Sequence, residues 1–163
     1  MKKSDLWRGL LFFEIIPKSG YNSKEMNNLK IKIADLLGQP VGTAEASEIS
    51  EKIPSPDPDN IKNEPEILGK VNLTKLESGV LGSFNLKTEI ALLCSRCLKE
   101  FKLPVKLKYE QEFSYQGAKQ KNPDLLYTIE QDKLDILPSI QQEIMLAIPI
   151  KPLCDQNCKG IKI

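Results

Sequence analysis

The sequence predicts a β-rich α+β fold, in which an antiparallel β-meander curls into a small barrel or sandwich and is followed by one C-terminal amphipathic helix. Residues 101–115 alternate apolar and polar side chains, which is typical of a long, half-buried strand. Residues 135–148 instead carry apolar side chains at helical spacing, and Pro149 ends that pattern. The switch of period from two to nearly four residues is what separates the sheet from the helix.

Shorter apolar runs precede and follow the long strand. Residues 29–37 alternate apolar residues with lysines and predict a strand that runs into a turn. Residues 67–73 and 82–93 predict two more strands, and residues 126–129 predict a short edge strand. Runs of this kind, joined by short turns, favour a meander.

The domain organisation follows from changes in composition. Residues 1–28 are interpreted as an N-terminal extension, and residues 29–163 as a single domain. Within that domain, residues 39–65 contain five prolines and six acidic residues against two lysines. Such a segment buries little apolar surface, so it is predicted to be a disordered acidic loop. Its removal is expected to change stability by less than about 1 kcal/mol.

Composition excludes several classes of function. The 163 residues are 40% apolar, which is enough for one modest core, and the net charge is +1. There is no histidine, so Ser-His-Asp, Cys-His and His-metal chemistries are excluded. No apolar run approaches the roughly 20 residues of a membrane span. The sequence therefore predicts a cytoplasmic protein with reduced cysteines and no membrane partner.

No pattern of residues indicates catalysis. The chain has no glycine-rich phosphate loop, no dinucleotide-binding fingerprint and no convincing pair of carboxylates. We therefore expect a protein that is not an enzyme and that has no small-molecule substrate.

The four cysteines fall into two pairs, Cys94 with Cys97 and Cys154 with Cys158. Two such pairs can complete one all-thiolate zinc site. Reduced surface thiols without a metal are a second interpretation. A redox dithiol is a third, although Cys94 lies between strand patterns rather than at the start of a helix, where the dipole lowers the thiol pKa. The spacing alone leaves the three open.

Basic residues are concentrated between Cys94 and Lys108, with Glu100 as the one acidic residue among them. They are Arg96, Lys99, Lys102, Lys106 and Lys108. The alternation places the last three on the solvent side of the predicted strand, where they could contact several phosphates. The alternative is a soluble sheet face on which lysines protect the strand from aggregation.

The cysteine knuckle and the C-terminal block together resemble the YceD family of large ribosomal RNA subunit accumulation proteins. The resemblance rests on Cys94-Ser-Arg-Cys97, on residues 134–136 and on residues 143–154, and it covers roughly residues 29–160. It implies a non-catalytic factor needed for accumulation, processing or stability of 23S ribosomal RNA. The implied partner is that RNA or a pre-ribosomal particle. An adaptor that binds a ribosomal protein or a nuclease without touching RNA is the alternative.

The chain departs from the family pattern at Lys162. Relatives with a C-terminal cysteine cluster continue from the position of Cys158 to further cysteines, and Lys162 stands where the next one is expected. A zinc site built wholly from that cluster is therefore incomplete here. The departure favours metal-free cysteines, and it leaves the two pairs named above as the one complete ligand set.

Overall fold

In the computed structural model the described residues are 29–115 and 127–161, and they form two sheets and two helices. The predicted N-terminal extension, residues 1–28, lies outside them. The elements in chain order are β1 (Lys30–Lys32), α1 (Ala34–Leu37), β2 (Ala44–Lys52), β3 (Glu66–Lys75), β4 (Gly79–Leu93), β5 (Glu100–Tyr115), β6 (Thr128–Ile129), β7 (Lys133–Asp135) and α2 (Leu137–Ala147).

The larger sheet has the strand order β2-β3-β4-β5-β6. Its first four strands form an antiparallel meander, and β6 runs parallel to β5. A separate two-stranded sheet pairs β1 with β7. The β-rich, antiparallel α+β class is thus confirmed. Because β2 and β6 remain as edges, the described strands form an open sheet rather than the closed barrel that was one expectation.

The β4–β5 hairpin forms the centre of the larger sheet. Leu86 lies opposite Leu107 on the core face, and both are buried. Phe84 lies opposite Tyr109, and their rings stack with centroids 4.6 Å apart. The alternation seen in the sequence therefore divides the hairpin into an apolar inner face and a polar outer face.

Helix α2 covers the inner face of the sheet. Ile140 and Ile144 are fully buried in the shared core. The hydroxyl of Ser139 is 3.2 Å from that of Tyr109 on β5, which connects the helix to the hairpin. At the start of the helix, the Leu137 amide donates to the carboxylate of Asp135 at 3.1 Å. No helix within the described ranges is long and apolar enough to cross a membrane.

The structure corrects the prediction of a disordered loop over residues 39–65. Strand β2 pairs with β3 along its whole length, and Ile49, Ile53 and Ile61 are buried. The prediction was wrong because it relied on average composition. The acidic residues of β2 lie at exposed or half-buried positions of an edge strand, while the isolated isoleucines each reach the core.

Asn63 anchors the end of this segment to the sheet. Its side-chain oxygen accepts a hydrogen bond from the Ala91 amide at 2.7 Å. Its side-chain nitrogen donates to the Glu89 carbonyl at 3.0 Å. The Lys62 amide adds a bond to the Ala91 carbonyl at 2.9 Å. The pairing of β3 with β4 stops at Lys87. Past that point, these three bonds satisfy backbone groups of β4 in place of a neighbouring strand.

Candidate metal centre and basic sheet face

The four cysteine sulfurs converge at the tip of the β4–β5 hairpin. All four Sγ atoms lie within 4.8 Å of one another. The Sγ atoms of Cys94 and Cys158 are 3.8 Å apart, and those of Cys97 and Cys154 are 3.7 Å apart. A tetrahedral zinc ion with thiolate ligands has sulfur–sulfur edges of about 3.8 Å. The thiols are free rather than bonded in disulfides, so they fit the ligand set of one metal ion.

The first half of the centre is a tight turn between β4 and β5. The Cys94 carbonyl accepts a hydrogen bond from the Leu98 amide, and the Cys94 amide donates to the Lys99 carbonyl, both at 2.9 Å. The Arg96 amide points at the Cys94 sulfur from 3.5 Å. Leu98 closes the turn with a left-handed backbone, at a φ of 59°. The turn therefore brings the sulfurs of Cys94 and Cys97 and the amide of Arg96 close together.

The second half comes from the segment after α2, residues 148–161, which we call the tail. The Ser95 amide donates to the Pro152 carbonyl at 2.8 Å. The Arg96 guanidinium donates to the Cys158 carbonyl, also at 2.8 Å. These two bonds hold the tail against the hairpin tip. Arg96 thus holds the tail, and its contact with RNA stays a prediction.

The backbone around the centre separates the pKa values of two of the thiols. Backbone amides of Cys154, Cys97 and Arg96 donate to the Cys94 sulfur and lower its pKa from 9.0 to about 6. The Cys154 thiol shares its proton with Cys97 and is partly shielded from solvent, which raises its pKa to about 12. Of these two thiols, Cys94 is therefore the more acidic.

The five basic residues singled out in the sequence do not form one surface. Lys102, Lys106 and Lys108 share the exposed outer face of β5, as predicted. Lys102 is paired with Glu89 at 2.8 Å, and this contact raises the Lys102 pKa. Arg96 is bonded to the tail. Lys99 is exposed at the hairpin tip, outside the strand.

Sequence reasoning missed Lys87, which lies directly opposite Lys106 on the same outer face. The signal that could have found it is the alternation within residues 82–93. Phe84, Leu86 and Ile90 are buried on one face of β4, so the residues that alternate with that face, Lys87 among them, face solvent. Recognising that Lys87 lies opposite Lys106 requires the register of the hairpin. The turn at Cys94 contributes to that register.

The fold and the cysteine cluster define a class: a β-rich protein whose central hairpin carries a four-thiol centre closed by a C-terminal tail. The family model described as "Large ribosomal RNA subunit accumulation protein YceD" matches residues 82–163, and the chain belongs to that family. The matched region contains most of β4, all of β5 and α2, and the four cysteines. The resemblance found in the sequence is thereby confirmed.

One curated relative is the Bacillus subtilis (strain 168) protein named "Uncharacterized protein YlbN". It is 28% identical over 74 residues, which cover 45% of this chain and 43% of that protein. The match thus spans less than half of the relative's length. No solved structure matches the chain.

Proposed function

We propose that this protein is a non-catalytic, cytoplasmic factor that promotes the accumulation, processing or stability of 23S ribosomal RNA. Its partner would be that RNA or a pre-ribosomal particle, with no small-molecule substrate. The observation that carries the proposal is family membership, because the family description refers to large ribosomal RNA subunit accumulation. The matched region also contains the exposed lysines of β5 and the cysteine centre.

The outer face of the β4–β5 hairpin supports a direct contact with RNA. Lys106 and Lys108 are exposed side by side on β5, and neither forms an ion pair within the described ranges. Lysine ammonium groups on a solvated sheet face can contact phosphate oxygens without reading bases. Lys99 at the hairpin tip adds a further cation to this end of the molecule.

A groove beside the tail favours the alternative, an adaptor that binds a protein partner. The groove has a volume of about 270 Å³ and is lined by Leu93, Met145 and Ile150, among others. Ile150 is fully exposed, and the other two are each 42% exposed. Exposed apolar side chains that adjoin one another are typical of protein contacts. Asp57 and Asp59 also line this groove.

We further propose that the four cysteines hold one zinc ion with a structural role. Thiolates at tetrahedral spacing suit zinc, and four protein ligands leave no position open for a substrate. Such sites contribute on the order of 10–16 kcal/mol of apparent binding free energy at pH 7. The ion would fasten the tail to the hairpin tip and add no catalytic step.

Two measurements in cells test the role in ribosomal RNA. Deletion of the gene should lower the ratio of 23S to 16S ribosomal RNA, and the wild-type chain should restore it. Ultraviolet crosslinking of a tagged chain should recover segments of large-subunit RNA. Normal 23S levels after deletion would contradict the proposal. Reduced 23S levels without any crosslinked RNA would instead support the adaptor.

A further inference from the structure

A cluster of three lysines occupies the middle of the outer face of the hairpin. Lys87 on β4 and Lys106 on β5 are direct cross-strand partners. Lys108 follows Lys106 on the same face and lies opposite the uncharged Asn85. From strand geometry, directly opposite residues are about 5 Å apart at Cα, and alternate residues of one strand about 7 Å. Three ammonium groups on flexible stems therefore share a small patch of surface.

Neighbouring lysines on this face are neutralised, whereas these three are not. Lys102 pairs with Glu89 at 2.8 Å, and Lys70 pairs with Glu48 at 3.1 Å. No ion pair of comparable distance involves the cluster in the part of the chain that the structure describes. Like charges placed directly opposite each other destabilise a sheet by a few tenths of a kcal/mol or more. The Lys87–Lys106 pair is thus repulsive in the isolated protein. The nearest carboxylates on this face, Glu89 and Glu110, bond to Lys102 and to the Ser83 hydroxyl instead.

Protection of a sheet edge does not explain Lys87, which faces Lys106 from an interior strand. Lysines that discourage edge-to-edge association lie on unpaired strand edges. Among the described strands β5 has such an edge along Lys106 and Lys108, because β6 pairs only with its last two residues. At Lys87, by contrast, β4 is paired with β3 on one side and with β5 on the other. A partner that brings negative charge to the outer face would turn the repulsion into binding energy.

We infer that Lys87, Lys106 and Lys108 form a binding site for the phosphate backbone of RNA. This inference rests on the proposed function and deepens it, by naming the residues and the kind of contact. The nearest residues on this face are Leu68 on β3, Asn85 and Glu89 on β4, and Pro104 and Glu110 on β5. None offers an aromatic ring for base stacking, so the contact is to phosphates and has little sequence preference.

The test compares the full-length wild-type chain with two triple variants of equal charge change. The first carries Lys87→Gln, Lys106→Gln and Lys108→Gln. The control carries Lys30→Gln, Lys32→Gln and Lys133→Gln, and it also removes an exposed cross-strand lysine pair, Lys32 with Lys133, from the smaller sheet. The probe is a 20-nucleotide oligouridylate, and dissociation constants are measured between 50 and 300 mM KCl.

Each lysine that contacts a phosphate of a single strand contributes about 0.7 to the slope of log Kobs against log salt. The cluster variant should lose about 2 from that slope, and Lys87→Gln alone about 0.7. The control variant should keep the wild-type slope. Thermal unfolding verifies that both variants are folded, and loss of the opposed charges should leave the cluster variant at least as stable as the wild type.

Three results would overturn the inference. If wild type binds and the cluster variant keeps its slope, the lysines are not the site, while the proposed role in 23S accumulation stands. If control and cluster variants lose slope equally, the binding reflects total charge rather than this surface. If wild type binds anionic phosphatidylserine vesicles but neither the oligouridylate nor 23S fragments, the partner is a lipid surface and direct RNA contact fails as well.

Discussion

At the scale of single residues, Thr88 is the one described side chain whose buried polar atom has no hydrogen-bond partner. It faces the core between Leu86 and Ile90. Replacing its hydroxyl by a methyl group removes an unsatisfied oxygen at nearly constant shape. Thr88→Val should therefore raise the free energy of unfolding by about 1 kcal/mol. Urea denaturation at constant pH measures the change.

A matched control for Thr88 is Ser139, whose buried hydroxyl is satisfied. It donates to the Ile136 carbonyl at 2.9 Å and contacts the Tyr109 hydroxyl at 3.2 Å. Ser139→Ala should lower the free energy of unfolding by about 1 kcal/mol, because a formed bond is lost. If both substitutions destabilise the protein, the Thr88 oxygen must be hydrogen-bonded in solution.

At the scale of elements, Asn63 fastens the segment that follows β2 to the end of β4. Asn63→Leu removes both of its side-chain bonds and leaves the buried Ala91 amide without a partner. We expect the free energy of unfolding to fall by about 1–3 kcal/mol. Asn72→Leu, at an exposed position of β3, should change it by less than about 0.5 kcal/mol. Equal effects at the two positions would show that the segment does not pack as described.

Helix α2 offers a sharper comparison within two residues. Ile144 is fully buried, whereas Leu146 is 71% exposed. Ile144→Ala should cost roughly 2–5 kcal/mol of stability through lost burial and a residual cavity. Leu146→Ala should cost less than about 0.5 kcal/mol. A negligible loss for Ile144→Ala, measured by chemical denaturation, would mean that the other side of the helix faces the sheet.

At the scale of the whole molecule, the cysteine centre joins two parts of the chain that are far apart in sequence. If the four sulfurs hold one zinc ion, protein purified without chelator should contain about one equivalent. Cys94→Ser and Cys154→Ser should reduce the zinc content alike, since each removes one corner of the same tetrahedron. Metal analysis of the three proteins measures this. Loss in one variant alone would contradict a shared site.

Hydrogen exchange then reports which part of the molecule the metal stabilises. The Ser95 amide, bonded to the Pro152 carbonyl, is a probe of the closed tail. Chelation should strongly accelerate the exchange of this amide, because without the metal the tail is no longer held to the hairpin tip. Exchange at Leu86, in the middle of β4, should change little, because Leu86 packs in the apolar core, which does not depend on the metal. Equal acceleration at both amides would show that the metal supports the whole fold.

The sequence by itself determined the features that depend on local periodicity. The alternation of residues 101–115 specified the two faces of β5, and the helical spacing up to Ile144 specified the buried side of α2. These predictions succeeded because a strand or a helix repeats its own geometry every few residues. The paired cysteines left a zinc site as one of three interpretations, and nothing in their spacing shows that the pairs meet.

Tertiary structure decided everything that depends on contacts between distant residues. It brings Cys158 to within 3.8 Å of Cys94 and places Lys87 opposite Lys106. It also buries Ile53 and Ile61 in a segment whose average composition predicted disorder. Local composition cannot reveal such contacts, because hairpin register and the return of the tail are set by the packing of the entire core.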